Sequence, residues 1–420
     1  MNPKQKQLCD ILSVAWHRSF YRNHWKIESI NEAYELVNSG NFHALPITRK
    51  SNIREAMEDI IDYSGAVDIV SSSGTTGRPV DIPVLEKQEK ERILRVRRLL
   101  RELGIKHGSK VLQLLSLNDM FTLGVLVWQG IKAEGGTAFR CSPARIDRIL
   151  DVIKYSKPEF VIGNPYVMVR IAEEAGDKWP KPEDLPKGAF FAVAATFCTD
   201  LKRNVVAEKA MKLWGLTEAL NQYGTSEIGP VAYETKQHEG LLVHSDFLYV
   251  ELIDPTTGKP AIEGESGEVV VTALTHPRGF LPVRYATGDI CAWLKHKEID
   301  GETKQFMGPI IGRVDHQLKI MGQTIFPNHL LKIADDLEQI KKSVVTVKQD
   351  VLKGDVVTVL CEAQNVALEE EVKKILIGQY NRNLAVSPNV SMVKSAVIET
   401  LVQNKMSATN GSKVPRFFRL

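Results

Sequence analysis

The strongest constraint on the fold is an alternation of short apolar runs and helical segments between residues 86 and 214. EKQEKERILRVRRLLREL (86–103) has helical spacing, with a strongly charged face that reads as solvated. KVLQLLSL (110–117) reads as a short buried strand, FTLGVLVWQGIKAEG (121–135) as a helix and GGTAFRC (135–141) as a strand. A helix over 145–156, the strand PEFVIGN (158–164), the strand-like GAFFAVAAT (188–196) and a helix from about Asp200 to Trp214 continue the series. Apolar strands separated by helices of this length imply an α/β fold whose mainly parallel sheet is covered on both faces. In such folds the polar loops at the carboxyl ends of strands form the site.

The pattern changes twice. LLVHSDFLYVELID, GEVVVTAL and DICAWLKH make residues 240–300 β-rich, and turns such as DPTTGKP and EGESGE separate them. After GRVDHQLKIMGQTIFP the pattern restarts as a small α+β unit, with helices over 328–337 and 368–380, and NVSMVKSAVIE read as a strand. A large domain over 1–312 and a smaller one over 313–420 are expected. The basic end of the chain reads as a loop.

With 43% hydrophobic residues in 420, the chain can bury a large core. Its 54 Lys and Arg nearly balance 51 Asp and Glu, too even a charge to imply a general nucleic-acid or membrane surface, so any basic function would have to be local. The five cysteines are scattered and form no ligand spacing, as expected of a reducing cytoplasm. Charges interrupt the apolar positions of the first residues, so no signal peptide is expected, and no run approaches a membrane span.

Four stretches carry chemistry. SSSGTTGRPV (71–80) follows the apolar AVDIV; its glycines free backbone N–H groups and its hydroxyls add donors, so the loop suits phosphate oxygens as well as a plain turn. It is not a P-loop, since no lysine follows Gly77. YGTSEIG sets an aromatic, two hydroxyls and a carboxylate in sequence, from Tyr223 through Gly224, Thr225 and Ser226 to Glu227. These residues suit a base, a phosphate and Mg2+ respectively. RYATGD ends in Asp289, whose carboxylate suits a ribose diol, and GRVD brings Arg313 beside Asp315.

In this order the four stretches resemble those of the adenylate-forming superfamily of acyl-CoA synthetases and adenylation domains, and within it the phenylacetate-CoA ligase family. The similarity runs over nearly the whole chain, from FYRNHW (20–25) and LPITRKSNIRE (45–55) to NGSKVPRF (410–417). The resemblance implies that a carboxylic acid attacks the α-phosphate of ATP, and that a thiol then takes the acyl group from the adenylate. ATP, Mg2+ and CoA, or the phosphopantetheine of a carrier protein, are the expected cofactors. A small aromatic or arylalkanoic acid is the expected substrate. Loading of a carrier protein or an amine, and a non-catalytic nucleotide- or acyl-binding regulator, are the alternatives. Neither nucleic acid nor membrane is an expected partner, and a homodimer is plausible by analogy.

By the same resemblance Ser72, Ser73, Gly74, Thr75, Thr76 and Gly77 form a mobile loop over the β- and γ-phosphates. Tyr223 corresponds to the adenine-stacking residue, Ser226 to the α-phosphate hydroxyl, Glu227 to the Mg2+ carboxylate, and Asp289 and Arg313 to the ribose-binding pair. Asp315 marks the hinge of a mobile C-terminal domain, which presents Lys319 to Gly322 at the thiol channel. Lys413, rather than Lys405, corresponds to the adenylation lysine. The acid pocket is expected at Asn118, Asp119 and Phe121 and at Ala195 and Thr196, with Met120, Phe121 and Phe197 equally readable as core.

Two departures from the family pattern stand out: His316 replaces a second aspartate, and the usual Pro-Arg-Thr before the lysine is absent. Where some relatives carry a Cys/His zinc cluster, this chain has only His238 and His244, read as surface or strand residues.

Overall fold

A computed structural model describes residues 2–72, 79–118, 120–192, 201–275, 279–294, 296–299, 302–320, 323–350, 354–384, 386–406 and 416–420. Backbone contacts divide the chain into two compact units, Met1–Ile310 and Ile311–Leu420.

In the first unit a hairpin of β1 (Ala66–Ser71) and β2 (Asp81–Leu85) precedes the central sheet. That sheet comprises β3 (Lys110–Gln113), β4 (Thr137–Arg140), β5 (Phe160–Gly163), β6 (Gly188–Phe191), β7 (Glu218–Thr225), β8 (Gly229–Glu234) and β9 (Leu241–Val243). A second sheet contains β10 (Leu248–Ile253), β11 (Ser266–Ala273) and β12 (Tyr285–Ala292). A hairpin of β13 (Lys297–Ile299) and β14 (Glu302–Lys304) leads to β15 (Phe306–Met307), which returns to the central sheet.

The central order is β4-β3-β5-β6-β7-β8-β9-β15. It is parallel from β4 to β7, in registers such as Val111 with Phe160 and Gly188 with Glu218, and antiparallel from β7 to β15. Because side chains alternate across a strand, successive residues enter different cores. Leu112, Val161 and Ala189 pack with helices Ile146–Ser156, Pro165–Ala175 and Val205–Trp214. Val111, Ile162 and Phe190 pack with helices Glu86–Leu103 and Thr122–Ala133. Both faces are covered, which explains why the strands read as continuous apolar runs.

Local signals set the helix ends. Asn164 Oδ1 accepts from the Tyr166 amide at 2.9 Å, and Pro165 occupies the first helical position, where its missing N–H costs nothing. Asn204 does the same for the Ala207 amide. Two short helices, Lys50–Glu55 and Met57–Ile60, are broken at Ala56.

In the second sheet, β11 lies between β10 and β12 and is antiparallel to both. The register jumps from Glu268–Ile290 to Val270–Ala286, so Thr287, Gly288 and Asp289 bulge opposite Val269. Three N-terminal helices, Pro3–Trp16, Ser19–Trp25 and Ile30–Asn38, pack on Leu274, Leu281 and Val283.

The second unit has a four-stranded sheet in the order Asn389–Met392, Gly354–Ala363, Ile340–Asp350, Phe417–Arg419. Helices Pro327–Asp335 and Glu369–Leu384 supply Leu330, Leu331, Val372, Leu376 and Tyr380 to its core. Two expectations are corrected here. NVSMVKSAVIE is a strand only as far as Met392; Ser395–Met406 is a helix, which buries Ile398 with Leu401 and Val402 beside it. The chain end is not a loop either, since Phe417–Arg419 pairs in parallel with Val345–Val347. Among the described residues no helix is long and apolar enough to cross a membrane.

Candidate active site

YGTSEIG forms the end of β7 and its tight turn into β8. Its two glycines are required sterically. A Cβ at Gly224 would lie 2.5 Å from the Gly229 carbonyl, and Gly229 itself has φ +78°. The turn leaves Gly224 exposed and Thr225 and Ser226 half-buried, and it buries Glu227. The Thr225 hydroxyl accepts from the Ile228 amide at 3.3 Å and steadies the turn.

The turn rests on two buried arginines that the sequence reading had placed on a solvated helix face. Arg92 donates to the main-chain oxygens of Ser226 at 3.4 Å and Glu227 at 2.9 Å. Arg95 donates to those of Ile228 at 3.2 Å and Pro230. Burial pushes both guanidinium groups down to about 10, and the Glu91 carboxylate opposes that shift; both stay charged at neutral pH. The available signal was their spacing with Val96, Leu99 and Leu103, which puts two cations on the core side of the helix.

Tyr223 is 2% exposed and packed in the core between the two sheets. Its hydroxyl lies 3.1 Å from Thr287 Oγ1 and 3.0 Å from Asp289 Oδ2. Burial and the Asp289 charge hold the phenol well above its usual range, so it donates to the carboxylate. Thr287 in turn donates to the Val269 carbonyl at 3.0 Å, across the bulge. A bulge redirects a side chain that a regular ladder would fix, and here it turns Asp289 towards Tyr223. Stacking on a base requires one open ring face, and here the ring is enclosed.

The Glu227 carboxylate pairs with Lys50 Nζ at 3.2 Å, with the side chains 7% and 22% exposed. Burial alone would raise Glu227, but Lys50 and hydrogen bonds from its own amide and Thr225 outweigh it and hold the carboxyl below its usual range. Lys50 was missed in the sequence, where it is one lysine among many. No cluster of three or more His, Cys, Asp or Glu among the described residues could hold a metal. A single buried carboxylate does suit Mg2+, which keeps waters and binds largely through substrate phosphates.

Of the phosphate loop, only Ser72 lies within the described residues; Ser73, Gly74, Thr75, Thr76 and Gly77 lie outside them. Ser72 is buried and closes the neck of the loop. Its amide donates to the Val80 carbonyl at 3.0 Å, and its hydroxyl accepts from the Val80 amide at 2.8 Å.

Of the acid-pocket residues, Asn118 is exposed and Phe121 half-buried, while Asp119, Ala195, Thr196 and Phe197 are outside the described residues. Met120 is not a core residue: it is 48% exposed at φ +55°, and its carbonyl accepts from the Ser71 amide at 3.1 Å.

In the second unit, Arg313 Nε lies 3.2 Å from Asp315 Oδ1. The His316 ring packs 4.7 Å from that of Phe417. Lys319 falls on the hairpin Leu318–Ile320/Gln323–Ile325, and Lys405 lies near the end of Ser395–Met406. Gly322 and Lys413 are outside the described residues. His238 lies between Glu234 at 2.7 Å and Glu218 at 3.2 Å, and His244 is buried against the Tyr233 ring. Cys9, Cys141, Cys291 and Cys361 are buried free thiols.

No family model matches the chain. It is 27% identical over 348 residues to the phenylacetate-coenzyme A ligase of Pseudomonas putida, an alignment covering 81% of this chain and 76% of that protein. It is 30% identical over 294 residues to the enzyme of the same name from Thermus thermophilus, covering 68% of this chain but only 64% of the relative. Among solved structures, 2-hydroxyisobutyryl-CoA ligase in the postadenylation state with 2-HIB-AMP superposes with a TM-score of 0.78 at 18% identity, over 96% of this chain and 91% of that one. ATP-bound MatB from Rhodopseudomonas palustris superposes with a TM-score of 0.58, also at 18% identity, over 79% and 65%. These structures share the fold, and over most of its length the chain is similar in sequence to phenylacetate-coenzyme A ligases.

Proposed function

We propose that the protein is an ATP-dependent acid–thiol ligase that activates a small carboxylic acid as its adenylate and passes the acyl group to coenzyme A. The observation that carries this reading is the joining of YGTSEIG to the bulge of β12 through the Tyr223–Asp289 hydrogen bond. In this reading Asp289 is the ribose-binding carboxylate, and Ser226, half-buried in the turn that follows Tyr223, is the phosphate hydroxyl. The similarity to phenylacetate-coenzyme A ligases supports an aromatic or arylalkanoic acid as substrate.

In this reading a carboxylate oxygen of the acid forms a bond to the α-phosphorus as the bond to the β-phosphate bridging oxygen breaks, and pyrophosphate leaves. The thiol sulfur then attacks the acyl carbon, AMP leaves, and the thiol proton passes to solvent. Neither step uses a protein nucleophile, so catalysis rests on orientation and on neutralising charge. Tyr223 orients Asp289 towards the ribose diol, Ser226 donates to the α-phosphate, and Arg92 and Arg95 keep the turn in place. Glu227 would hold Mg2+, which supplies positive charge to the phosphates. Lys413 supplies the cation of the adenylation step, Arg313 assists at the ribose, and Asp315 serves as the hinge.

Acid-dependent exchange of labelled pyrophosphate into ATP tests the first step over a panel of aryl, arylalkyl and short aliphatic acids. Exchange with at least one acid is expected, and none with any acid overturns the reading. Coenzyme A and a phosphopantetheinylated carrier protein, offered to the adenylate, then identify the acceptor. Lys413→Ala is expected to abolish exchange while still converting supplied acyl-adenylate to thioester.

A further inference from the structure

Lys50 does not reach Glu227 by chance of a surface side chain. The segment before it is fastened to β12 like an added strand. The Thr48 amide donates to the Arg284 carbonyl at 2.9 Å, and the Ala286 amide donates to the Thr48 carbonyl at 2.9 Å. Thr48 Oγ1 donates to the Val283 carbonyl at 2.9 Å. Next to it, Arg49 forks onto Glu268 at 2.9 and 3.0 Å, and that carboxylate is 1% exposed. These anchors bracket Tyr285, four residues before Asp289 in β12, and Lys50 follows as the first residue of its helix.

The carboxylate it meets is boxed in. Arg92 holds the Glu227 main chain from beneath at 2.9 Å, and the open side of the turn is the side of Ser226 and Gly224. A carboxylate this buried is costly to leave without a cation. An exposed lysine pair would contribute little, but this pair is largely withdrawn from water.

We infer that Lys50 is a positioning residue that stands in for the divalent cation. Its ammonium neutralises Glu227 while the site is empty, and it gives up that place when a metal nucleotide enters. The displaced ammonium then lies beside the arriving phosphate oxygens, so the site keeps its charge balance in both states. A metal ion therefore competes with Lys50 for Glu227, and the nucleotide brings the metal in. The inference rests on the proposed nucleotide role of the YGTSEIG turn.

The test is a titration of Mn2+, followed by its free electron paramagnetic resonance signal, into the full-length enzyme saturated with a non-hydrolysable ATP analogue. It needs neither acid nor turnover. In Lys50→Met the Mn2+ concentration for half-saturation should fall roughly five- to thirtyfold, since the competitor is gone. In Lys50→Arg it should rise, because a guanidinium forks onto both carboxylate oxygens and is harder to displace. Glu227→Gln should lose the dependence on residue 50. An unchanged or higher half-saturation in a K50M protein that melts cooperatively overturns the inference, as does a lower one in K50R should K50M fail to fold. Failure of the wild type to bind nucleotide or Mn2+ at all overturns it together with the functional reading. Normal titrations with no pyrophosphate exchange for any acid overturn the functional reading alone.

Discussion

The Tyr223 hydroxyl lies 3.0 Å from Asp289 Oδ2, joining a strand of the central sheet to the bulged strand of its neighbour. A single hydroxyl oxygen supplies this contact to the candidate ribose carboxylate. In Tyr223→Phe the ring still fills the core, so stability should change little beyond the lost hydrogen bond. A hydrogen bond to a charged group contributes about 1.5–3 kcal/mol, so the KM for ATP in pyrophosphate exchange should rise by about ten- to a hundredfold. The rate at saturating ATP should change much less. A fall in that rate at unchanged KM would contradict the positioning role.

Arg95 couples the core to the YGTSEIG turn. Replacing it with methionine preserves bulk, but it removes the donor to the Ile228 and Pro230 carbonyls and leaves Glu91, 3.7 Å away, without that cation. Breaking a buried pair from one side costs about 3–5 kcal/mol, and urea unfolding should show a loss of that size. Exchange activity should fall as well, even where the variant remains folded.

His238 gives a pH signature of opposite sign to acid denaturation. The hydrogen bond that His238 donates to the Glu234 carboxylate raises its affinity for a proton, burial opposes this, and the charges of Glu234 and Glu218 add to the rise. A histidine raised on folding stabilises fully below its unfolded pKa of about 6.5 and loses that contribution as pH rises through the higher folded value. The difference in melting temperature between wild type and His238→Gln should therefore be largest near pH 5.5 and shrink towards pH 8.5. A constant difference across that range would refute the linkage.

The end of the chain should prove structural. Phe418 is 4% exposed, and Arg416 donates to Asp335 and to the Ser343 carbonyl. Phe418→Ala removes a buried aromatic from the edge strand and should cost about 3–5 kcal/mol, read as earlier melting of the second unit by calorimetry. An unchanged transition would mean that the strand is dispensable.

The parallel sheet was legible because buried parallel strands carry an unmistakable apolar run, and the Asn-Pro pair at 164–165 marks a strand-to-helix junction in plain residues. The ordered glycine, hydroxyl and carboxylate stretches gave the site its outline. The charged helix face misled because composition does not show which cations turn inward: Arg92 and Arg95 are buried only because the β7–β8 turn offers carbonyls to them. SAVIE reads as the end of the strand NVSMVKSAVIE, yet Ile398, Leu401 and Val402 recur at helical spacing and tertiary packing decides for the helix. Lys50 left no local signal, since its partner is brought to it only by long-range pairing.

That pairing sets a schedule for the protein as it is made. Thr48 bonds to a carbonyl 235 positions further along, so the residues around Lys50 are translated long before the strand that anchors them exists. At about 5–20 residues per second, the wait lasts on the order of ten seconds or more. A ribosome that stalls before β12 releases a chain already carrying the glycine-rich loop and the YGTSEIG turn, but with nothing to dock Thr48 against. The Lys50–Glu227 pair is therefore withheld until most of the first unit has been synthesised, and incomplete products should lack it.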